Sequence, residues 1–147
     1  MVRAGVAPVY LDTIGIIALL HRGDPHHRLA LRWFAAIQRR RRPARTTTGV
    51  LSEVGDGFAT RVWREAEPFL THVCRDPMVT VVTVDCRLVD RALDLKRARA
   101  DKNWGLTDCI SFVVMTDRGC REALSADRDF SQAGFRALLL EGDPPVS

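Results

Sequence analysis

Residues 101–130 read DKNWGLTDCISFVVMTDRGCREALSADRDF, and this stretch decides the fold because it sets acids on either side of an almost wholly apolar helix. Asp108 opens that helix. From Cys109 to Met115 the only polar side chain is Ser111, which leaves little wet face and places the helix between other layers. The helix is expected to end between Thr116 and Gly119. Glu122 to Ala126 then reads as a short buried strand whose last residues deliver Ser125, Asp127 and Asp129. Two separated carboxylates are thereby carried toward one point. Two more acids at the ends of apolar elements, Asp12 and Glu53, could join them.

Outward from this stretch, the remaining segments alternate between the two periodicities. Val6 to Leu11 is a short apolar run with Pro8 near its start, suited to a central parallel strand. Asp12 follows at its carboxyl end, Thr13 is placed to cap, and Ile14 to Leu20 makes a short buried helix closed by Gly23-Asp24-Pro25. His26 to Arg42 is amphipathic, with Leu29, Trp33, Phe34 and Ile37 on one face. Ala44 to Thr47 is a brief strand leading into a helix with Val50, Leu51, Val54 and Phe58 on one side and Glu53 on the flank of that side. Gly49, Gly55 and Gly57 each weaken this helix by about 1 kcal/mol relative to alanine, so packing must hold it. Trp63 to Cys74 is helical, with a kink or restart expected at Pro68. Val79 to Val84 is a β-branched strand, Asp85 caps a long helix carrying Leu88, Ala92 and Leu95, and Ala137 to Leu140 is a last strand. The expectation is one α/β domain over residues 1–147, a three-layer α/β/α arrangement on a mainly parallel sheet. Its core runs from about residue 6 to 140, with a flexible Pro-rich tail at 141–147.

At 147 residues and 46% hydrophobic, the chain is long enough for one well-filled core and too short for two comfortable domains. No leader is expected, and the apolar run Ile14 to Leu20 is far short of the roughly 20 residues of a membrane span. Cysteines at 74, 86, 109 and 120 form no CxxC pair, so they are read as reduced thiols of a cytoplasmic protein. Lysine occurs only at 96 and 102, leaving 20 arginines among the 22 basic residues. A net charge of +4 permits a polyanionic partner without requiring one. The run Arg39, Arg40, Arg41 and Arg42 suits a helix C-terminus and offers an alternative use as an RNA contact.

In parallel sheets the functional crevice lies at the carboxyl ends of the strands, and Asp12 and Asp127 both follow strands directly. Four carboxylates in one crevice repel unless neutralised, and an oxygen-only set favours Mg²⁺ or Mn²⁺ over Zn²⁺. Such ions generate hydroxide from water and hold the oxygens of a phosphodiester displacement. Each acid also has a structural explanation by itself: Asp12 as an N-cap, Asp108 as an acid in a first helical turn, Asp127 as a turn residue. Asp129 and Asp101 are candidates for supporting positions, with an exposed acid beside Arg128 or Lys102 as the plainer reading. His26 and His27 follow a turn with no HxH or HExxH frame around them and read as surface residues.

Three blocks, YLDTIGIIALLHRGDPHHRLA, TTTGVLSEVGDGF and DKNWGLTDCISFVVMTDRGCREALSADRDFSQAGF, resemble the PIN-domain family, in particular its VapC-like toxins, from about residue 8 to residue 140. The resemblance implies an α/β/α ribonuclease that depends on Mg²⁺ or Mn²⁺, commonly a homodimer and often neutralised by a small antitoxin protein. It assigns the family's acids, as catalytic residues and metal ligands, to Asp12, Glu53, Asp108 and Asp127, with Ser125 and Thr13 at the supporting hydroxyl positions. Ile14 stands where the family usually has a small or polar residue, and Gly55-Asp56-Gly57 replaces a more helix-favouring stretch. A PIN-like module that binds RNA or a protein without cutting is the alternative reading. A response-regulator receiver domain fits poorly, since its paired acids and late lysine are missing.

Overall fold

The computed structural model describes residues 5–57 and 63–146. Five strands, β1 (Val9–Leu11), β2 (Ala44–Thr47), β3 (Val79–Val82), β4 (Glu122–Leu124) and β5 (Arg136–Ala137), form one sheet in the order β3-β2-β1-β4-β5. Every pairing is parallel, with Val9 opposite both Ala44 and Glu122. Helices α1 (Thr13–Leu20), α2 (His27–Arg39), α3 (Thr48–Gly57) and α4 (Trp63–Arg75) belong to the steps from β1 to β2 to β3; α1 packs against both α2 and α3, and α3 against α4. Helices α5 (Cys86–Ala98) and α6 (Leu106–Arg118) belong to the return from β3 to β4, and pack together. Right-handed crossovers running in opposite directions along a sheet put these two groups on opposite faces. The three-layer expectation is met, and the sheet is parallel throughout.

Helix α6 forms because its ends are specified. The Gly105 N–H at the N-cap donates to Asp108 Oδ2 at 3.0 Å, so the acid of the first turn ties down the start of the helix, and Gly119 ends the helix in the left-handed region at φ 69°. Cys109, Ile110, Ser111, Phe112, Val114 and Met115 are buried, as its composition requires. Ser111 is not a lapse in this face, since its hydroxyl lies 2.7 Å from the buried Tyr10 hydroxyl. Each large side chain removed from water here contributes about 1.5–3 kcal/mol.

Several boundaries differ from the sequence expectation, each with a physical reason. Strand β1 starts at Val9, where the ladder opens with the Val9 N–H donating to Pro43 O, whereas Val6 is exposed. Strand β3 stops at Val82 because the Val84 N–H is taken by Thr48 Oγ1 at 3.0 Å. Helix α4 runs through Pro68 to Arg75 without restarting. Leu138–Leu140 is a 3-10 turn rather than strand, because the Leu139 N–H turns to Ser125 O at 3.1 Å. A short helix, α7 (Arg128–Gln132), follows β4 with Asp127 as its N-cap, in a stretch where the sequence indicates no element beyond a turn residue at Asp127. The tail is not free of the body: Trp33 Nε1 donates to Gly142 O at 2.8 Å, Arg32 pairs with Asp143 and Arg40 reaches Pro145 O. Phe58, expected on the buried side of α3, lies outside the described residues.

The strand order has one reversal, between β1 and β4. From β1 the chain steps outward to β2 and β3, then returns across β1 to β4 and continues to β5. Ligands of open parallel sheets bind outside the carboxyl ends of the strands at such a reversal. The residues directly after β1 and β4 therefore border that crevice.

Candidate active site

Asp12 follows β1 and is the N-cap of α1; it is only 6% exposed. Ser125, directly after β4 and fully buried, donates its hydroxyl to Asp12 Oδ2 at 2.7 Å. The Asp127 N–H donates to the same Ser125 oxygen at 3.0 Å, so one hydroxyl fixes an acid from each side of the reversal. Asp127 is the N-cap of α7 and accepts from the Asp129 N–H at 2.9 Å. That cap turns the Asp129 side chain back toward its own. Asp108 reaches the same place from the first turn of α6.

Three carboxylates converge most closely. Asp108, Asp127 and Asp129 each present an oxygen within 4.8 Å of the other two, all half-buried. Asp12 and Glu53 are outside this trio. They are near enough for charge to act between them and it: Asp108 and Asp127 both act on Asp12, and Glu53 acts on Asp108. Glu53, exposed on α3, is held by the Thr13 hydroxyl, which donates to Oε2 at 2.9 Å. The sequence ranks Asp129 below Asp127, yet both stand in the trio, because α7 begins immediately after Asp127.

The electrostatics follow from this crowding. Burial, with added repulsion from Asp108 and Asp127, raises the Asp12 carboxyl from 3.8 to about 7, against hydrogen bonds from Ser125 and Thr13 that favour the anion. Asp108 is raised by partial burial and by Asp127, Asp129 and Glu53, against the Gly105 N–H. Asp129 is raised by desolvation and Asp127, against Lys102. Half-buried oxygens that destabilise one another's charge, with no imidazole or thiolate among them, are the donor set of a hard divalent cation. The residues present fit Mg²⁺ or Mn²⁺.

Other candidates are placed elsewhere. Asp101 is exposed and bound through both oxygens to Arg99, at 3.0 and 3.2 Å, which lowers its pKa. It does not join the acids. Arg39 ends α2 and the run continues past it to the amino end of β2, the edge of the sheet opposite the crevice. There Arg42 is committed, with Nη2 2.7 Å from Glu122 Oε1 and its side chain 10% exposed. The sequence reading missed Gly15. A Cβ there would lie 1.8 Å from the Leu124 carbonyl oxygen, so only glycine lets α1 touch the end of β4 and hold Asp12 within reach of Ser125. Its signal was a lone glycine inside a β-branched, apolar helical run.

Known proteins resemble this chain in sequence and in fold. The family model described as PIN domain matches residues 9–136. The chain is 28% identical over 129 residues to the 23S rRNA-specific endonuclease VapC20 of two strains of Mycobacterium tuberculosis, covering 86% of this chain and 95% of that protein. The crystal structure of Mycobacterium tuberculosis VapC20, described as a Sarcin-Ricin loop cleaving toxin, superposes with a TM-score of 0.76 at 27% identity, over 88% of this chain and 97% of that one. With the match spanning β1 to β5 and the acids gathered at the sheet reversal, the chain belongs to the PIN-domain family.

Proposed function

We propose that this chain is an endoribonuclease dependent on Mg²⁺ or Mn²⁺, acting in the cytoplasm as the toxin of a toxin-antitoxin pair. The observation that carries this is the convergence of Asp108, Asp127 and Asp129 at the reversal of the sheet, with Asp12 fixed through Ser125. Asp108, Asp127 and Asp129 would hold the cation, with Asp12 and Glu53 completing its surroundings. When bound, the cation lowers the pKa of water and offsets charge on the phosphate. The protein's own part is positioning. Ser125 orients Asp12, Thr13 orients Glu53, and the Gly105 N–H fixes Asp108 before any ligand arrives, so little reorganisation is left for the reaction itself. In the hydrolysis, the water oxygen forms the new bond to phosphorus as the bond to the bridging oxygen breaks. The departing oxygen gains a proton and the water loses one.

Similarity to VapC20 makes the sarcin-ricin loop of 23S rRNA the first substrate to test, and a small antitoxin protein and a second copy of the chain the first partners. The experiment is cleavage of that RNA with Mn²⁺, with Mg²⁺ and with chelator. Cutting is expected only with an added cation, and is expected to vanish in Asp108→Asn and Asp127→Asn. Activity that survives exhaustive chelation would remove the cation from the reaction. RNA that is bound but never cut under any of these conditions would leave a non-cleaving PIN-like module.

A further inference from the structure

A groove of about 380 Å³ lies between the carboxyl end of β3, the start of α5 and the end of α6. It is lined by Thr83 and Asp85, which follow β3, and by Arg87, Arg91, Asp117 and Arg118 from the two helices. Both acids are already committed. Asp85 caps α5, accepting from the Leu88 N–H at 2.8 Å, and the two Asp117 oxygens accept from both Nη atoms of Arg91. Arg87 and Arg118 are exposed and form no ion pair among the described residues, although the charges of both reach Asp117. Three guanidiniums therefore surround one carboxylate, and two of them are left over.

Arg118 suits its place, since a cation is favoured at the carboxyl end of a helix. Arg87 runs against local preference. It is the second residue of α5, where the helix dipole is positive, and no acid stands in that first turn. It also precedes Arg91 by four residues, a spacing that sets like charges side by side on one helix face. A residue that breaks two local rules without a compensating contact marks a functional position. Location connects the groove to the acids. Strand pairing sets Tyr10 beside Arg45 and Thr47 beside Val82, so Val82, which also lines the groove, is level with Asp12. The two are two strand spacings apart, roughly 10 Å. That is too far to share one phosphate, and it suits two phosphates of the same strand. The arginine fork matches phosphate oxygens, and grooves that track a single strand carry positive charge along its backbone.

We propose that this groove is an accessory site for the RNA backbone, in which Arg87 and Arg118 neutralise phosphates a few nucleotides from the bond that is cut. The proposal rests on the ribonuclease reading given above, but its test does not need cleavage. In chelator, the whole protein is titrated into a labelled single-stranded RNA of about 12 nucleotides, within the length that such grooves cover, over a range of salt concentrations. Arg87→Gln and Arg118→Gln are each expected to flatten the slope of log K against log salt by about 0.7, and Arg87→Lys to keep it. Arg97→Gln, near the other end of α5 and paired with Asp94, is expected to leave the slope unchanged. Arg87→Gln should also melt at no lower temperature than the wild type, because the charge it removes does not favour the helix.

The proposal is overturned if the slope is unchanged in both glutamine variants of the groove, or if Arg97→Gln flattens it equally. A clearly lower melting temperature for Arg87→Gln would also overturn it, by making that arginine structural. A glutamate peptide of equal charge that binds the wild type as tightly as the RNA does, with the same loss in both variants, would overturn it in favour of an acidic protein segment. Cutting of RNA by a protein whose slope ignores these arginines would keep the nuclease and remove the groove. A slope that responds as expected in a protein that cuts no RNA would keep the groove and remove the nuclease.

Discussion

Asp12 is at once the cap of a helix and a carboxylate that burial and its neighbours raise to about 7, and the two roles make opposite predictions for its removal. In the unfolded chain this carboxyl returns to about 3.9, so between that value and about 7 the folded protein binds the extra proton. Stability in chelator should therefore be highest at the acid end of this window, fall as pH rises through it, and level off above about 7. Asp12→Asn keeps the shape and removes the charge. It should abolish cleavage, flatten that slope and melt at an equal or higher temperature than the wild type in chelator at neutral pH. Mn²⁺ should then stabilise the wild type more than the variant, by about 2.7 kcal/mol at a hundredfold excess over Kd for the wild type. Melting curves for both proteins across pH, with cation and with chelator, decide it: a lower melting temperature for the variant, with equal responses to cation, would make Asp12 a structural cap alone. Thr13 gives a gentler case. Thr13→Val removes the hydroxyl that holds Glu53, and should raise the cation concentration needed for half-maximal cleavage while leaving the stability in chelator within about 0.5 kcal/mol of wild type, as for other changes at partly exposed positions.

At the scale of elements, the crevice exists because α1 and β4 are in contact at Gly15. Even alanine cannot be accommodated there by a side-chain shift, since the atom met is the Leu124 backbone carbonyl. Gly15→Ala should cost at least as much as an overpacked core position, about 1–3 kcal/mol, read from the shift in urea midpoint. It should also abolish cleavage in whatever fraction stays folded, because separating α1 from β4 carries Asp12 away from Ser125. The order of elements and the parallel sheet were legible in the sequence, because apolar runs such as Val79–Val82 and the Cys109 to Met115 face of α6 specify one period each. The ends were less so. Residues 138–140 are apolar and read as strand until the Leu139 N–H is seen to prefer Ser125 O, a tertiary choice that no local pattern announces. Asp129 was visible as a candidate but not as a close neighbour of Asp108, because that depends on α7 starting directly after its Asp127 cap. Gly15 was visible only as a weak spot in a helix, while what it touches is 109 residues away in sequence (124 − 15).

On the scale of the whole molecule, an all-parallel sheet has two unlike edges, and this chain gives them opposite work. The carboxyl edge gathers acids at the strand reversal, while the amino edge is closed by an ion network in which Glu122 binds Arg42 and Arg136, and Arg136 in turn binds Glu141. The arginine run after α2 stands at this amino edge. Strand β2 alone, four residues long, puts roughly 13 Å between the run and the crevice at about 3.3 Å per residue. A phosphate seated at the acids is therefore beyond the reach of Arg39 to Arg42. Cations on the crevice side are better placed: Lys102 already acts on Asp129, and the exposed Arg128 lies between Asp127 and Asp129 in sequence. Binding of a short single-stranded RNA, followed against salt concentration, separates the two sets. Replacing Arg39, Arg40 and Arg41 with alanine should leave the slope of log K against log salt unchanged, whereas replacing Lys102 and Arg128 should flatten it by about 0.7 for each phosphate that is no longer neutralised. Arg42→Ala belongs to neither class. It should leave the slope alone and lower stability by on the order of 1–3 kcal/mol, because it removes a charged partner from the largely buried Glu122. If instead the slope falls with the Arg39 to Arg41 replacements and holds with those at 102 and 128, the RNA crosses the amino edge, and the path along the crevice side is wrong.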